Sequence, residues 1–246
     1  MEAREYEKMA EVEDRMWWYK ALHRNLLGLI ERFLDAPAAR LLDAGCGTGG
    51  LLRVLDTAHA DYRLVGLDAW QPACTVTAAR SRRPVVRGLF DRLPFADATI
   101  DCVVSADVLC HENIAPSAAL REARRCLRPG GVLVLNLPAY PWLLSYHDER
   151  VQNARRFTVK GTRALLEHAG LRLVYATYWN TLLFPIMVLQ RLVPRASERE
   201  SDVHLYPRPI EAAFGALLAC ERALLRVGAR LPFGGSILAV ARRADG

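Results

Sequence analysis

Residues 39–58 read ARLLDAGCGTGGLLRVLDTA. A short apolar run passes through an acid into a turn rich in glycine, and then into a stretch with apolar residues at helical spacing. This order predicts a buried strand, a tight turn and a helix, with the helix N-terminus aimed back over the strand's end. The turn fits two patterns. Gly45, Gly47 and Gly50 make G-x-G-x-x-G, which places a pyrophosphate on a helix N-terminus. Asp43, Gly45, Gly47 and Gly49 make acid-x-G-x-G-x-G, which suits a cofactor without a phosphate. The loop alone leaves both open.

The rest of the chain repeats the rhythm. YRLVGLDA, RPVVRGLF, ATIDCVVSAD and GVLVLNLP are apolar strand candidates, separated by the helical stretches QPACTVTAARSR and APSAALREARRCL. Regular alternation of this kind argues an α/β fold with a mostly parallel sheet and helices on both faces. Before it, residues 1–34 read as one helical segment that Pro37 ends. After Pro138 the rhythm breaks. An aromatic and charged segment is followed by TVKGTRALLEHAG, a helix with Thr158 as N-cap and Gly170 beyond its end. LRLVYATYW is a sixth strand, and GGSILAVARR a last one. We read residues 1–246 as a single domain, with a helical cap at 1–36, a core at 37–138, and lid segments at 139–160 and 180–232.

Composition narrows the classes. Hydrophobic residues make up 52% and the net charge is +6, so the chain is globular and mildly basic. No Lys/Arg block with interleaved aromatics marks a nucleic-acid footprint, so no nucleic-acid partner is expected. Cys46, Cys74, Cys102, Cys110, Cys126 and Cys220 show no C-x-x-C pair, and no metal site is expected. The polar start MEAREYEKMAEVEDR reads as no secretory leader, and no apolar run reaches the roughly 20 residues of a membrane span. A cytoplasmic protein without stable membrane insertion is expected, as monomer or homodimer. TLLFPIMVLQRLVP, broken by Pro185, is expected to wall a pocket or a dimer face, with interfacial membrane contact as the other use.

Two further stretches choose between the glycine patterns. DRLPFADATID spans Asp91–Asp101 and RCLRPGGVLVLN spans Arg125–Asn136. The order acid-x-G-x-G-x-G, an acid closing the second strand, L-P-F-x-D, then R-x-L-R-P-G-G resembles the class I S-adenosylmethionine-dependent methyltransferases. The resemblance covers about residues 40–136. It implies a Rossmann-like seven-stranded sheet, mostly parallel with an antiparallel last strand, and S-adenosylmethionine as cofactor. A nicotinamide oxidoreductase is disfavoured by the two later motifs. A relative that binds the same cofactor without methyl transfer, as a cyclase, decarboxylase or regulatory module, stays open.

On this resemblance the cofactor site comprises Asp43, Gly45, Cys46, Gly47, Gly49, Asp68, Ala69, Leu89, Phe90 and Ala106. Asp68 closes the second strand, where a carboxylate can accept from both ribose hydroxyls. Where such enzymes often carry an acid for the adenine amino group, this chain has Leu89 and Phe90, so adenine is left to backbone groups and apolar packing.

A tighter resemblance is to a bacterial subfamily with W-W-[FY] near the start and an S-x-H-D-E…H-x-R-R-Y-T block, matched here by Trp17, Trp18 and Tyr19 and by SYHDERVQNARRFT. Asn153 and Phe157 replace the family's later histidine and tyrosine. His147 and His111 are the candidate catalytic residues. The candidate acceptor site is Trp18, Tyr19, His23, Trp142, Asp148, Arg155, Arg156, Tyr178 and Asn180. His111 can equally be structural. Three consecutive aromatics cannot share one helix face, so only part of Trp17–Tyr19 is free for a pocket. Arg155 and Arg156 can clamp an anionic substrate, or pair with Asp148 or Glu149. The acceptor is expected to be a small, apolar or amphipathic metabolite.

Overall fold

A computed structural model describes residues 3–145, 148, 152–192 and 205–244. The helical start is two helices, α1 (Ala3–Val12) and α2 (Trp17–Phe33). Strand β1 (Arg40–Ala44), helix α3 (Gly50–Ala58), β2 (Arg63–Asp68), α4 (Gln71–Ser81) and β3 (Val85–Arg87) follow. Then come β4 (Ile100–Ala106), α5 (Pro116–Cys126), β5 (Leu127–Pro138), α6 (Val159–His168) and β6 (Leu171–Trp179). The chain closes with α7 (Phe184–Leu192), α8 (Arg208–Arg226) and β7 (Ser236–Arg243).

The strands form one sheet in the order β3-β2-β1-β4-β5-β7-β6. Strands β1 to β5 pair in parallel. Only β7 is reversed, inserted between β5 and β6. The strand order reverses between β1 and β4, so a crevice opens there at the carboxyl ends of the strands.

Period-two alternation sends strand residues to opposite faces. Val132 and Val134 join the core under α2, α3 and α8, whereas Leu133, Leu135 and Leu137 join the core under α5 and α6. Helix α2 turns Leu22, Leu26, Leu29 and Ile30 inward, the i, i+4, i+7, i+8 stripe of an amphipathic helix. Leu26 and Ile30 are fully buried; each such side chain is worth about 1.5–3 kcal/mol relative to exposure. Thr158 caps α6 as its sequence requires, its hydroxyl accepting from the Gly161 amide at 3.0 Å.

The single helix read over residues 1–34 is corrected: the chain breaks at residues 13–16. Tertiary partners outweigh helical propensity there. Glu13 turns inward to the hydroxyl of Thr48 at 2.6 Å. Asp14 pairs with Arg80 and Arg53. The Trp17 amide, at the first residue of α2, donates to Glu211 of α8 at 2.8 Å. Pro185 does not break the late apolar run; it sits in the first turn of α7, where its missing N–H costs nothing.

Candidate functional site

The turn after β1 is held open by backbone that favours glycine. Gly45, Gly47 and Gly49 all have positive φ, at 91°, 54° and 85°. A Cβ on Gly45 would lie 2.1 Å from Cγ2 of Val108, so the loops after β1 and β4 touch only because that atom is absent. Gly49 is the N-cap of α3 and packs toward Thr77 rather than lining the crevice.

Asp68 ends β2 beside this turn. Its Oδ2 accepts from the Gly47 amide at 3.0 Å and its Oδ1 from the Trp70 amide at 3.0 Å. The Tyr6 hydroxyl of α1 also donates to it, and the Tyr6 ring lies 4.4 Å from that of Trp70. Burial pushes the Asp68 carboxyl up, and these donors oppose the shift.

Asp43 and Glu13 complete an acidic pole. Asp43 is buried, and its Oδ2 has no partner in the protein. Burial, then Glu13 and Asp68, push its carboxyl up to about 8. Glu13 is also raised by burial, although Thr48 and Arg80 donate to it at 2.6 and 2.9 Å. His23 approaches Glu13 at 3.7 Å, but burial pushes the imidazole down to about 4. It is therefore neutral, and the contact is not an ion pair. Three crowded acids, one of them with an orphaned oxygen, fit a ligand that brings positive charge and hydroxyl donors.

This pole opens into one cavity of about 610 Å³. Asp43, Gly45, Cys46, Gly47, Asp68, Ala69, Leu89, Phe90 and Ala106 line it, as do Trp18, Tyr19, His23, His111, Asp148, Arg156 and Asn180. Trp17 of α2, Leu183 just before α7, Ile186 and Met187 of α7 and Phe214 of α8 give the lining an apolar part. Trp18 stacks on Trp179 at 6.1 Å, and Trp17 meets Phe214 edge-on at 5.3 Å.

Four residues named from sequence are elsewhere. Gly49 is one, as described. Arg155 points away: its Nη1 donates to the carbonyls of Leu109, His111 and Ile114 at 2.8–3.1 Å, which ties down the loop after β4. Trp142 is 60% exposed and leans on Tyr140 outside the lining. Tyr178 stacks on Tyr140 at 5.1 Å, and its hydroxyl accepts from the Val159 amide. Arg156 lines the cavity but is already paired, its guanidinium bidentate on Asp148 with both side chains buried. His147 lies outside the described residues.

The L-P-F-x-D and R-x-L-R-P-G-G motifs meet away from the cavity. Arg125 donates to the carbonyls of Leu93 and Phe95 and pairs with Asp97 and Glu122, clamping the loop after β3 onto α5.

Sequence reasoning missed Tyr6, Glu13 and Asp107. Glu13 sits in a charged run that reads as a solvated helix face. Asp107, directly after β4, is an acid at a strand's carboxyl end, the same signal that marked Asp68. Its φ is +54°, and its Oδ2 accepts from Asn136 Nδ2 at 2.8 Å. Its Oδ1 has no partner. Among the described residues no cluster could hold a metal ion, and no helix is long and apolar enough to cross a membrane.

Comparison with known proteins agrees with this geometry. Residues 42–135 match the family model described as Methyltransferase domain. The chain is 38% identical over 116 residues to malonyl-[acyl-carrier protein] O-methyltransferase of Dechloromonas aromatica, covering 47% of this chain and 43% of that protein. The chain spans between 30% and 43% of the length of the first curated relatives it matches. Among solved structures, a putative sarcosine dimethylglycine methyltransferase from Galdieria sulphuraria superposes with a TM-score of 0.64 at 18% identity, covering 91% of this chain and 86% of that one. The [4+2]-cyclase SpnF superposes with a TM-score of 0.65 at 21% identity, covering 94% and 84%. Residues 42–135 are thus similar to a methyltransferase domain, and the motif order there resembles that of the class I, S-adenosylmethionine-dependent family.

Proposed function

We propose that the whole chain transfers a methyl group from S-adenosylmethionine to a small, apolar or amphipathic metabolite. The observation that carries this reading is the single cavity joining the acidic pole to the apolar part. Its volume of about 610 Å³ lies in the range of small-molecule sites. S-adenosylmethionine, when bound, supplies an electrophilic methyl on a sulfonium. Asp68 would hold the ribose hydroxyls, and Asp43 would attract the methionine ammonium. Leu89, Phe90 and Trp70 would pack the adenine. Trp17, Trp18 and Met187 exclude water from the acceptor, which favours transfer over hydrolysis. His111 positions the acceptor.

We read the chain as one domain, residues 1–246, with cap, core and lid bounds at 1–36, 37–138, 139–160 and 180–232. It is a cytoplasmic member of the W-W-[FY] subfamily, working as monomer or homodimer. The likeness of fold to a cyclase makes cofactor binding without transfer the competing outcome. Calorimetry with S-adenosylmethionine and S-adenosylhomocysteine, followed by mass analysis of a metabolite extract, separates the two. Binding with a new methylated product supports transfer. Binding with no product in any fraction supports the alternative, and no binding rejects both.

A further inference from the structure

We infer that the acceptor is an uncharged or cationic molecule whose methylated heteroatom carries a proton, and that Asp107 takes that proton. This rests on the methyltransferase reading and names the acceptor class for the same cavity.

The position comes first. Asp107 follows the last residue of β4, and the next residue, Val108, packs on Gly45 of the glycine turn. The carboxylate therefore stands beside the cofactor pole and lines the cavity. Its orientation is fixed from behind. Trp179 Nε1 donates to Asn136 Oδ1 at 2.7 Å, and Asn136 Nδ2 donates to Asp107 Oδ2 at 2.8 Å. The Asp107 amide is tied to the Asn136 carbonyl at 3.0 Å. A relay of this kind holds one carboxylate oxygen and leaves Oδ1 without a protein partner. Such an oxygen is costly unless a ligand satisfies it.

The electrostatics disfavour anionic acceptors. Glu13, Asp43, Asp68, Asp107 and Asp148 line the cavity. Among the described lining residues the only arginine or lysine is Arg156, already bidentate on Asp148. Glu13 is paired with Arg80 and Asp148 with Arg156, so a carboxylate or phosphate would meet Asp43, Asp68 and Asp107, with no unpaired arginine or lysine among the described lining residues. A hydroxyl or amine would give Asp107 the donor it lacks.

The chemistry balances. The heteroatom's lone pair forms the new bond to the methyl carbon as the sulfur–carbon pair returns to sulfur. The O–H or N–H bond breaks, its electrons stay on the heteroatom, and the proton passes to Asp107. The positive charge of the sulfonium and the negative charge of the carboxylate disappear together. Burial pushes the Asp107 carboxyl up to about 7, with Asn136 and Arg156 opposing and Asp148 adding to the shift. A base poised near the working pH is the efficient choice. Of the groups around it, Asp148 and Arg156 stay paired, the Cys110 thiol is held neutral by burial, and His111 lies on the following loop.

The test uses the full chain and Asp107→Asn. Infrared difference spectra of the ligand-free proteins should show a protonated carboxyl that titrates near pH 7 in the parent and is missing from the variant. S-adenosylhomocysteine should bind both alike. A panel of apolar alcohols, phenols, amines, carboxylic acids and phosphate esters, with a metabolite extract, should yield methylated products only at O–H or N–H sites. On such a product Asp107→Asn should lose about 10²- to 10⁴-fold in turnover, and the acidic limb of its pH profile should vanish. Asp107→Glu should keep part of the rate. Methylation confined to carboxylates or phosphates, or an Asp107→Asn rate equal to the parent's, overturns the proposal and leaves the methyltransferase reading intact. S-adenosylhomocysteine binding with no methylated product overturns that reading itself.

Discussion

The amide of Gly47 donates to Oδ2 of Asp68 at 3.0 Å. The glycine turn after β1 and the acid that ends β2 are thus one unit, each fixing the other at the switch point of the sheet. Removing the acid removes both the loop's anchor and the group assigned to the ribose. Asp68→Ala should weaken S-adenosylhomocysteine binding by about 1–3 kcal/mol, the cost of a lost charged partner. Calorimetry that gives an unchanged affinity would reject the assignment.

Gly47→Val tests the turn itself. The backbone there has φ +54°, and a Cβ would already lie 3.0 Å from Met9 Cε of α1. A branched side chain strains the turn and enters the space beside Asp68. The variant should stay folded by circular dichroism and lose measurable cofactor binding. Normal affinity would place the site elsewhere.

The Asp148–Arg156 pair is buried, so its parts should not act independently. Arg156→Met alone leaves a buried carboxylate without its counter-charge and should cost about 3–5 kcal/mol in urea unfolding. The double variant Arg156→Met, Asp148→Leu should recover most of that loss. Two losses that simply add would show that the pair carries no mutual dependence.

The pH dependence follows mainly from Asp43, Asp107 and His23. Asp43 has its folded value raised to about 8, so the folded state holds a proton that the unfolded chain has released. Stability of the ligand-free protein therefore falls as pH rises from the ordinary carboxylate range, near 4, to about 8. His23 has its folded value lowered to about 4 and acts the other way, costing stability as pH falls from about 6.5 to 4. Asp43→Asn should make the alkaline side of a melting-temperature profile shallower, with Asp107 accounting for part of the fall that remains, and leave the acidic side. A variant whose alkaline side still falls as steeply as the parent's would mean Asp43 is ionised in the folded protein.

The sheet was legible because its signals are local. An apolar run broken only by Asn136 marks Val132 to Leu137, and an acid at a strand end marks Asp68. The reversed β7 came from the family resemblance, since nothing within GGSILAVARR dictates its direction. What failed was decided by partners far along the chain. Residues 13–16 break the first helix because Thr48, Arg80 and Glu211 take up their polar groups. Arg155 and Arg156 are neighbours with opposite fates, one spent on three carbonyls and the other on Asp148. Trp142 lies outside the cavity while Trp17 and Trp18 line it, and aromatic character alone cannot separate them.

The most direct measurement follows the methyl group. The purified chain is incubated with S-adenosylmethionine carrying a trideuterated methyl and with a metabolite extract, and products are read by mass. The account predicts S-adenosylhomocysteine and one acceptor bearing the trideuteromethyl group, both missing with Gly47→Val. Tight cofactor binding with no labelled acceptor in any fraction would contradict it.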